Sequence, residues 1–376
     1  MAVTIALIRE TTPGERRVAL DPGAVQKLIG MGLEVVMEAG AGEHARYPDS
    51  AYEPTRVVDT AAEALGQADI LAKIHPPTGD EVAALKQGAI YIGFTEHYRH
   101  PELIAGLRDG GITALSFELV PRISRAQSMD ALSSQATIAG YKGAIIAAEL
   151  SGRLFPMLTT AAGTIRPAQV IVIGAGVAGL QAIATARRIG AQVQAYDIRP
   201  DAREQVESLG ARLIDTGIDA TGEGGYAREL TAEERDKQAE VLAAKLQSTD
   251  AVICTAGVPG RPAPKIITEA MIEGMKNGSV IVDLMAEGGG NTALTQLGET
   301  VEKNGVLIAG PGNVPSLAAV HASEMYARNL LKLLEPVLGE DGTEIDFDDE
   351  VLDACVLTHA GEIRHEPTRK TVEGET

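Results

Sequence analysis

Residues 170–197 read VIVIGAGVAGLQAIATARRIGAQVQAYD, and this stretch decides the fold. Val170 to Ile173 are apolar, β-branched and uncharged, as in a buried strand. Gly174-Ala175-Gly176-Val177-Ala178-Gly179 follows at once. A helical stretch from Leu180 to Ile189, a stop at Gly190, a second strand from Gln192 to Tyr196 and Asp197 complete the unit. With 41 glycines in the chain, a bare Gly-x-Gly-x-x-Gly means little; between a strand and a helix it predicts a dinucleotide turn. Gly174 permits the tight turn, Gly176 the approach of a pyrophosphate, and Gly179 close packing of helix on strand. Free N–H groups at the helix start, Val177 among them, then face the anion. Asp197, 18 residues beyond Gly179, is placed to accept ribose hydroxyls. A 2′-phosphate would meet that carboxylate at close range, so NAD(H) is expected over NADP(H). Arg199 is the counter-argument, because an arginine here could hold the phosphate.

The chain has 376 residues, enough for two domains. Hydrophobic residues make up 45%, but aromatics only 3% and Trp is absent. Cores of Ala, Val, Ile and Leu suit helices packed on parallel sheets. Thirty-three basic against 52 acidic residues leave a net charge of −19, which argues against nucleic acid and against an anionic membrane surface. Cys254 and Cys355 lie in apolar, strand-like runs and read as buried thiols in a reducing compartment. MAVTIALIRE at the start reads as a strand rather than a signal peptide. No apolar run is long enough to span a membrane.

Strand candidates in the first third are Val3–Ile8, Leu33–Ala39, Ile70–Ile74, Ala89–Phe94 and Ile112–Val120, alternating with short helices. From Val120 a polar loop feeds a long helix that begins near Ser128. After Asp197, strands are expected at Ala211–Ile214, Ala251–Cys254, Val280–Asp283 and Val306–Ala309, which makes a six-strand sheet. Asp215 to Tyr226 is glycine-rich and aperiodic, a functional or disordered loop. Ala256 and Gly257, AEGGGN (Ala286–Asn291) and GPGNVPS (Gly310–Ser316) end three of the strands at the carboxyl edge, where such sheets bind ligands. Helix Leu317–Leu334 is expected to cross back, and VLTHAGEI (Val356–Ile363) to form a last strand. The expected fold is α/β, with two doubly wound, Rossmann-like domains on parallel sheets. The first spans 1–130 and 325–365, the nucleotide-binding domain 131–324, and 366–376 is a disordered tail.

RETTPGERRVALDP (Arg9–Pro22), ADILAKI (Ala68–Ile74), VPRISRAQSMDALSSQATIAGY (Val120–Tyr141), the 172–199 stretch and GPGNVPS together resemble the soluble NAD(H)-binding alpha component of the proton-translocating nicotinamide nucleotide transhydrogenases. The resemblance covers nearly the whole chain. In that family the loop at 122–133 meets the nicotinamide. The resemblance implies that Gln127 lies where two nicotinamides meet, that Arg122 and Ser133 hold the carboxamide and ribose, and that Asp130 orients the arginine. Tyr226 would close a mobile loop over the nucleotide. NAD is the implied cofactor. The implied reaction is direct hydride transfer between NADH and NADP⁺ bound on a partner beta subunit, coupled to proton translocation through a membrane-spanning subunit. A homodimer is also implied, cytoplasmic and peripheral on the inner face of the cell membrane. The chemistry is consistent, because such a transfer needs orientation and exclusion of water rather than an acid–base pair.

Alanine dehydrogenases are more distantly similar. Arg17 and Lys73 match their substrate-binding positions, His97 lies at or near their catalytic histidine, and Glu287 stands at their catalytic aspartate position. These residues are a remnant of shared ancestry or a retained amino-acid site, and a free-standing alanine dehydrogenase is the alternative function. His75 and His100 match no motif and are expected at the surface or in packing.

Overall fold

A computed structural model describes residues 2–199, 201–220, 228–258, 260–339 and 342–374. The chain divides into two compact units, Met1–Gln135 with Ser316–Thr376, and Ala136–Pro315.

The first unit is built on an eight-stranded sheet. Across it run Glu362–Ile363, Val356–His359, Thr113–Ser116, Ile90–Gly93, Ile70–Ala72, Thr4–Leu7, Glu34–Glu38 and Arg56–Val58. The last six are parallel, and the first two form an antiparallel hairpin on the edge. The single expected strand Val356–Ile363 is therefore a hairpin, turned at Ala360 and Gly361 with φ of 49° and 82°. The expected strand from Ile112 stops at Ser116, where a 3-10 turn, Phe117–Leu119, takes over. Helices start where their caps dictate. Asp21 accepts from the Ala24 N–H ahead of Pro22–Gly30, and Thr78 and Glu81 form a reciprocal capping box for Gly79–Ala84. Apolar clusters fill both faces of the sheet, one around Leu7, Met37, Tyr52 and Tyr326, the other around Tyr91, Leu107 and Leu357.

The structure corrects several expectations. The tail from Glu366 is not disordered: Glu366–Glu373 is a helix, packed against Pro101–Asp109 with Thr368 buried. Its polar sequence hides this: a single apolar residue, Val372, packs against the core, and ion pairs link Glu366 to Lys370 and Arg369 to Glu373. The crossings between units fall at 135/136 and 315/316, not at 130/131 and 324/325. Helix Ala319–Leu334 thus lies within the first unit, and the return crossing precedes it.

The second unit has a seven-stranded sheet in the order Arg212–Leu213, Gln192–Tyr196, Gln169–Ile173, Ala251–Cys254, Val280–Asp283, Val306–Ala309 and Thr300–Lys303. The first six are parallel; the seventh, an antiparallel edge strand, is additional to the expected six. TVEK is polar and short, so no apolar run announces it. Both sheets are therefore mixed at an edge, not wholly parallel. The core is rich in alanine, and helix Ala131–Leu150 approaches its neighbours closely. A Cβ at Gly140 would lie 2.0 Å from the Ala178 carbonyl oxygen, and one at Gly143 2.8 Å from Leu284. Both cysteines are buried, and burial drives the Cys254 thiol far above its ordinary range.

Candidate functional site

In the second unit the three motif glycines differ in what the fold asks of them. Gly174 ends its strand at φ +90°, and a Cβ there would come within 2.9 Å of the Ala256 nitrogen and Thr255 Oγ1. A Cβ on Gly179 would lie 1.9 Å from the Gly174 carbonyl oxygen. Gly176 has ordinary extended backbone, φ −78° and ψ −167°, and a Cβ would meet no atom of the described residues. Nothing among the described residues requires glycine at 176, and close approach of a ligand supplies a reason for it. Gly176 and Val177 are exposed, and helix Val177–Arg188 has no side-chain cap. Its first N–H groups are open to an anion. The residues present fit a dinucleotide pyrophosphate.

Asp197 is buried beneath this turn. Its Oδ2 accepts from the Ala175 N–H at 2.8 Å, and Arg199 grips both carboxylate oxygens. Burial pushes the Asp197 carboxyl up, but the Arg199 and Ala175 hydrogen bonds outweigh it and hold the group below the usual carboxylate range. Aspartate and arginine, read from the sequence as rival ligands, are therefore a pair.

Around them the carboxyl-edge loops are tied together by residues the sequence reading did not single out. Thr255 Oγ1 donates to the Ile173 and Gly174 carbonyls, each at 3.0 Å. Asn291 brackets Ala256: its Oδ1 accepts from the Ala256 N–H at 3.0 Å, and its Nδ2 donates to the Ala256 carbonyl at 2.7 Å. Asp283 anchors the Asn291 loop by accepting from the Asn291 N–H at 2.6 Å and from Thr295 Oγ1 at 2.5 Å. Met285 packs against Gly257, and a Cβ there, 2.1 Å from Met285 Cε, would require that flexible side chain to shift. Glu287 Oε1 accepts from the Asn313 N–H at 2.7 Å and so joins AEGGGN to GPGNVPS. The terminal amide in AEGGGN was the available signal for Asn291; Thr255 and Asp283 gave none. Tyr226 lies outside the described residues.

In the first unit, residues 122–133 are more ordered than a polar loop. Ser124–Met129 is a 3-10 turn, and helix Ala131–Leu150 follows. Three fastenings hold it. Ala126 is wholly buried. Arg125 Nη1 pairs with Asp349 Oδ2 at 2.8 Å, and Asn329 Nδ2 donates to the Ser128 carbonyl at 2.8 Å. The Arg125 guanidinium holds the Asp349 carboxyl down to about 2. Arg122 and Gln127 are left exposed. Asp130 and Ser133 are brought together as a helix cap, Asp130 accepting from the Ser133 N–H at 2.8 Å and from Ser133 Oγ at 2.6 Å.

Arg17 and Lys73 lie in a buried polar cluster of the same unit. Glu15 accepts from Arg17 at 2.9 and 2.6 Å, and Arg17 also donates to Gln135 Oε1 at 2.9 Å. Lys73 Nζ is 3.2 Å from Glu10 and 3.7 Å from Glu81. His75, expected at the surface or in packing, joins the cluster and meets Glu15 at 2.7 Å. Burial pushes the Glu15 carboxyl up, but bonds from Arg17 and His75 prevail and hold it far below the usual range. His97 packs with Tyr98 and His365, ring centroids 5.4 and 5.2 Å away, and burial lowers its basicity.

The two-unit α/β frame and its dinucleotide turn define a nucleotide-binding fold of the dehydrogenase type. Residues 6–139 match the family model for the alanine dehydrogenase/PNT N-terminal domain, and 143–366 that for the alanine dehydrogenase/PNT C-terminal domain. An NAD(P) transhydrogenase subunit alpha chain of Rhodospirillum rubrum is 47% identical over 96% of this chain and 97% of its own. The crystal structure of a transhydrogenase from Sinorhizobium meliloti superposes with a TM-score of 0.87 at 44% identity, covering 96% and 99% of the two chains. An L-alanine dehydrogenase structure gives a TM-score of 0.83, but at 25% identity over 99% of each chain. The chain belongs to the alanine dehydrogenase/PNT family, on its branch of NAD(P) transhydrogenase alpha subunits.

Proposed function

We propose that this chain holds NAD(H) through the 174–179 turn and Asp197 and delivers hydride to NADP⁺ held on a partner subunit. The observation that carries the reading is the pairing of an open Gly176 cradle with a buried aspartate at the ribose position. Bound NADH supplies the hydride with its electron pair. The tasks left to the protein are orientation and exclusion of water. Exposed Arg122 and Gln127 suit contacts to nicotinamide amide groups, on a loop that Ala126, Arg125 and Asn329 keep in place. Ser133, held by Asp130, suits a ribose hydroxyl. Ala256 and Gly257 shape the neighbouring edge.

No helix among the described residues is long and apolar enough to cross a membrane. In the proposed reading, the family resemblance assigns the proton path to a membrane-spanning partner, with this chain peripheral on the cytoplasmic face of the cell membrane and the NADP-binding beta subunit docked to it. A homodimer is supported by the hairpin Leu158–Thr160 and Gly163–Ile165, which with its approach exposes Leu154, Met157, Leu158 and Ile165 by 42–65%. Met157→Asp with Leu158→Asp is expected to yield monomers by light scattering. Dimers of undiminished stability would remove the hairpin from the interface.

The alternative, an amino-acid dehydrogenase, is kept alive by the burial of Arg17 and Lys73 in one cluster. As they stand, both cations are already paired with carboxylates. The isolated chain is expected to bind NADH and to form none from NAD⁺ and L-alanine. Robust NADH formation from alanine would overturn the proposed function.

A further inference from the structure

Every acceptor site of Asp197 is occupied. An ionised carboxylate offers about four lone-pair sites. Oδ1 accepts from the Arg199 backbone N–H and from Arg199 Nε, both at 2.9 Å. Oδ2 accepts from the Ala175 N–H and from Arg199 Nη2, both at 2.8 Å. Two of these bonds come from backbone and belong to the turn. The other two are the guanidinium fork, one on each oxygen. A ribose diol makes the same two-pronged demand, with hydroxyl donors on adjacent carbons.

We propose that Arg199 is a built-in competitor for the adenosine ribose, occupying the two acceptor sites of Asp197 that the 2′- and 3′-hydroxyls require. This rests on the reading that the turn binds NAD(H). Ribose binding then exchanges one pair of hydrogen bonds for another, while the two backbone bonds keep the carboxylate aimed. The exchange asks Arg199 rather than Asp197 to move: the Arg199 side chain is 26% exposed, whereas the Asp197 side chain, at 7%, is held by the two backbone N–H groups.

The competitor also sharpens selection. A ligand that displaces the fork must replace both bonds, or it leaves a buried carboxylate short of donors. An intact diol replaces both. A 2′-phosphorylated ribose retains one hydroxyl and sets its phosphate against the uncovered Asp197. A displaced Arg199 could cover that phosphate only by leaving the carboxylate bare beside it. Arg199 therefore works with Asp197 against NADP(H), not as a phosphate ligand.

The test is the NADH dissociation constant, by fluorescence, of wild type, Arg199→Met and Arg199→Lys. Methionine keeps the apolar stem and removes the fork; lysine keeps a point charge that cannot grip both oxygens. Removing a partly exposed bidentate pair is expected to tighten NADH binding about three- to tenfold in Arg199→Met. Arg199→Lys should fall between that and wild type. NADH binding that is unchanged or weaker in both variants overturns the proposal and makes Arg199 a ligand. The lysine variant, which retains the charge over Asp197, keeps the test valid if the methionine variant fails to fold. A wild-type chain that does not bind NADH at all overturns the parent reading itself, which separates the two failures.

Discussion

Gln127→Ala is expected to lower hydride exchange about a hundredfold, the scale of loss when a reacting pair is misplaced by about an ångström. The dissociation constant for NADH should change by no more than about twofold, since the pyrophosphate and ribose contacts lie elsewhere. The residue lends itself to this test because its side chain is exposed and the loop is held by others. Buried Ala126, the Arg125–Asp349 pair and the Asn329 bond to Ser128 fix its course. Alanine at 127 therefore leaves the turn standing, and a fall in rate reports lost orientation rather than lost structure. No proton moves at the reacting carbons, so the pH profile of the residual rate should keep its shape. A variant that exchanges hydride as fast as wild type would remove the 122–133 loop from the reaction.

The second large effect separates two glycines of one motif. Gly179→Ala puts a methyl group where the Gly174 carbonyl oxygen lies 1.9 Å away, and backbone must move. The expected loss is about 1–3 kcal/mol or more of stability, together with nucleotide binding. Gly176→Ala meets no atom of the described residues and strains no dihedral angle. Its stability should stay within about 0.5 kcal/mol of wild type, as for other open surface positions. NADH binding should nevertheless weaken about tenfold or more, because the added methyl stands where the pyrophosphate approaches. Thermal melts with and without NADH check both. A Gly176→Ala protein that binds NADH normally would mean that the cradle is not used.

Much of the frame is legible in the sequence because buried parallel strands read as uninterrupted apolar runs. Ala251–Cys254, Val280–Asp283 and Val306–Ala309 appear where those runs stand. Thr300–Lys303 and Arg56–Val58 are short edge strands, only partly buried, and they leave no such trace. Glu366–Glu373 is hidden for a related reason: it meets the core through Val372 and a buried Thr368 alone, too little to make an apolar stripe.

The candidate site divides along the same line. The glycine turn and Asp197 are local and could be read directly. Of the partners that brace them, Thr255 and Asn291 reach Gly174 and Ala256 across dozens of residues, and Asp283 holds the Asn291 loop from eight residues away; hydrogen bonds of such spans have no sequence period. Asp197 and Arg199 show the limit most clearly. Their identities suggested two ligands of opposite preference, whereas geometry alone reveals that one occupies the acceptor sites of the other.

The most direct test of the central claim mixes the purified chain with its NADP-binding partner subunit. Reduction of an NADP⁺ analogue is then followed with NADH deuterated at the transferable position. The account predicts that the label appears in the analogue with no exchange into solvent, and that omitting either subunit abolishes the transfer. No label in the analogue when both subunits are present, or label lost to water on the way, would contradict it.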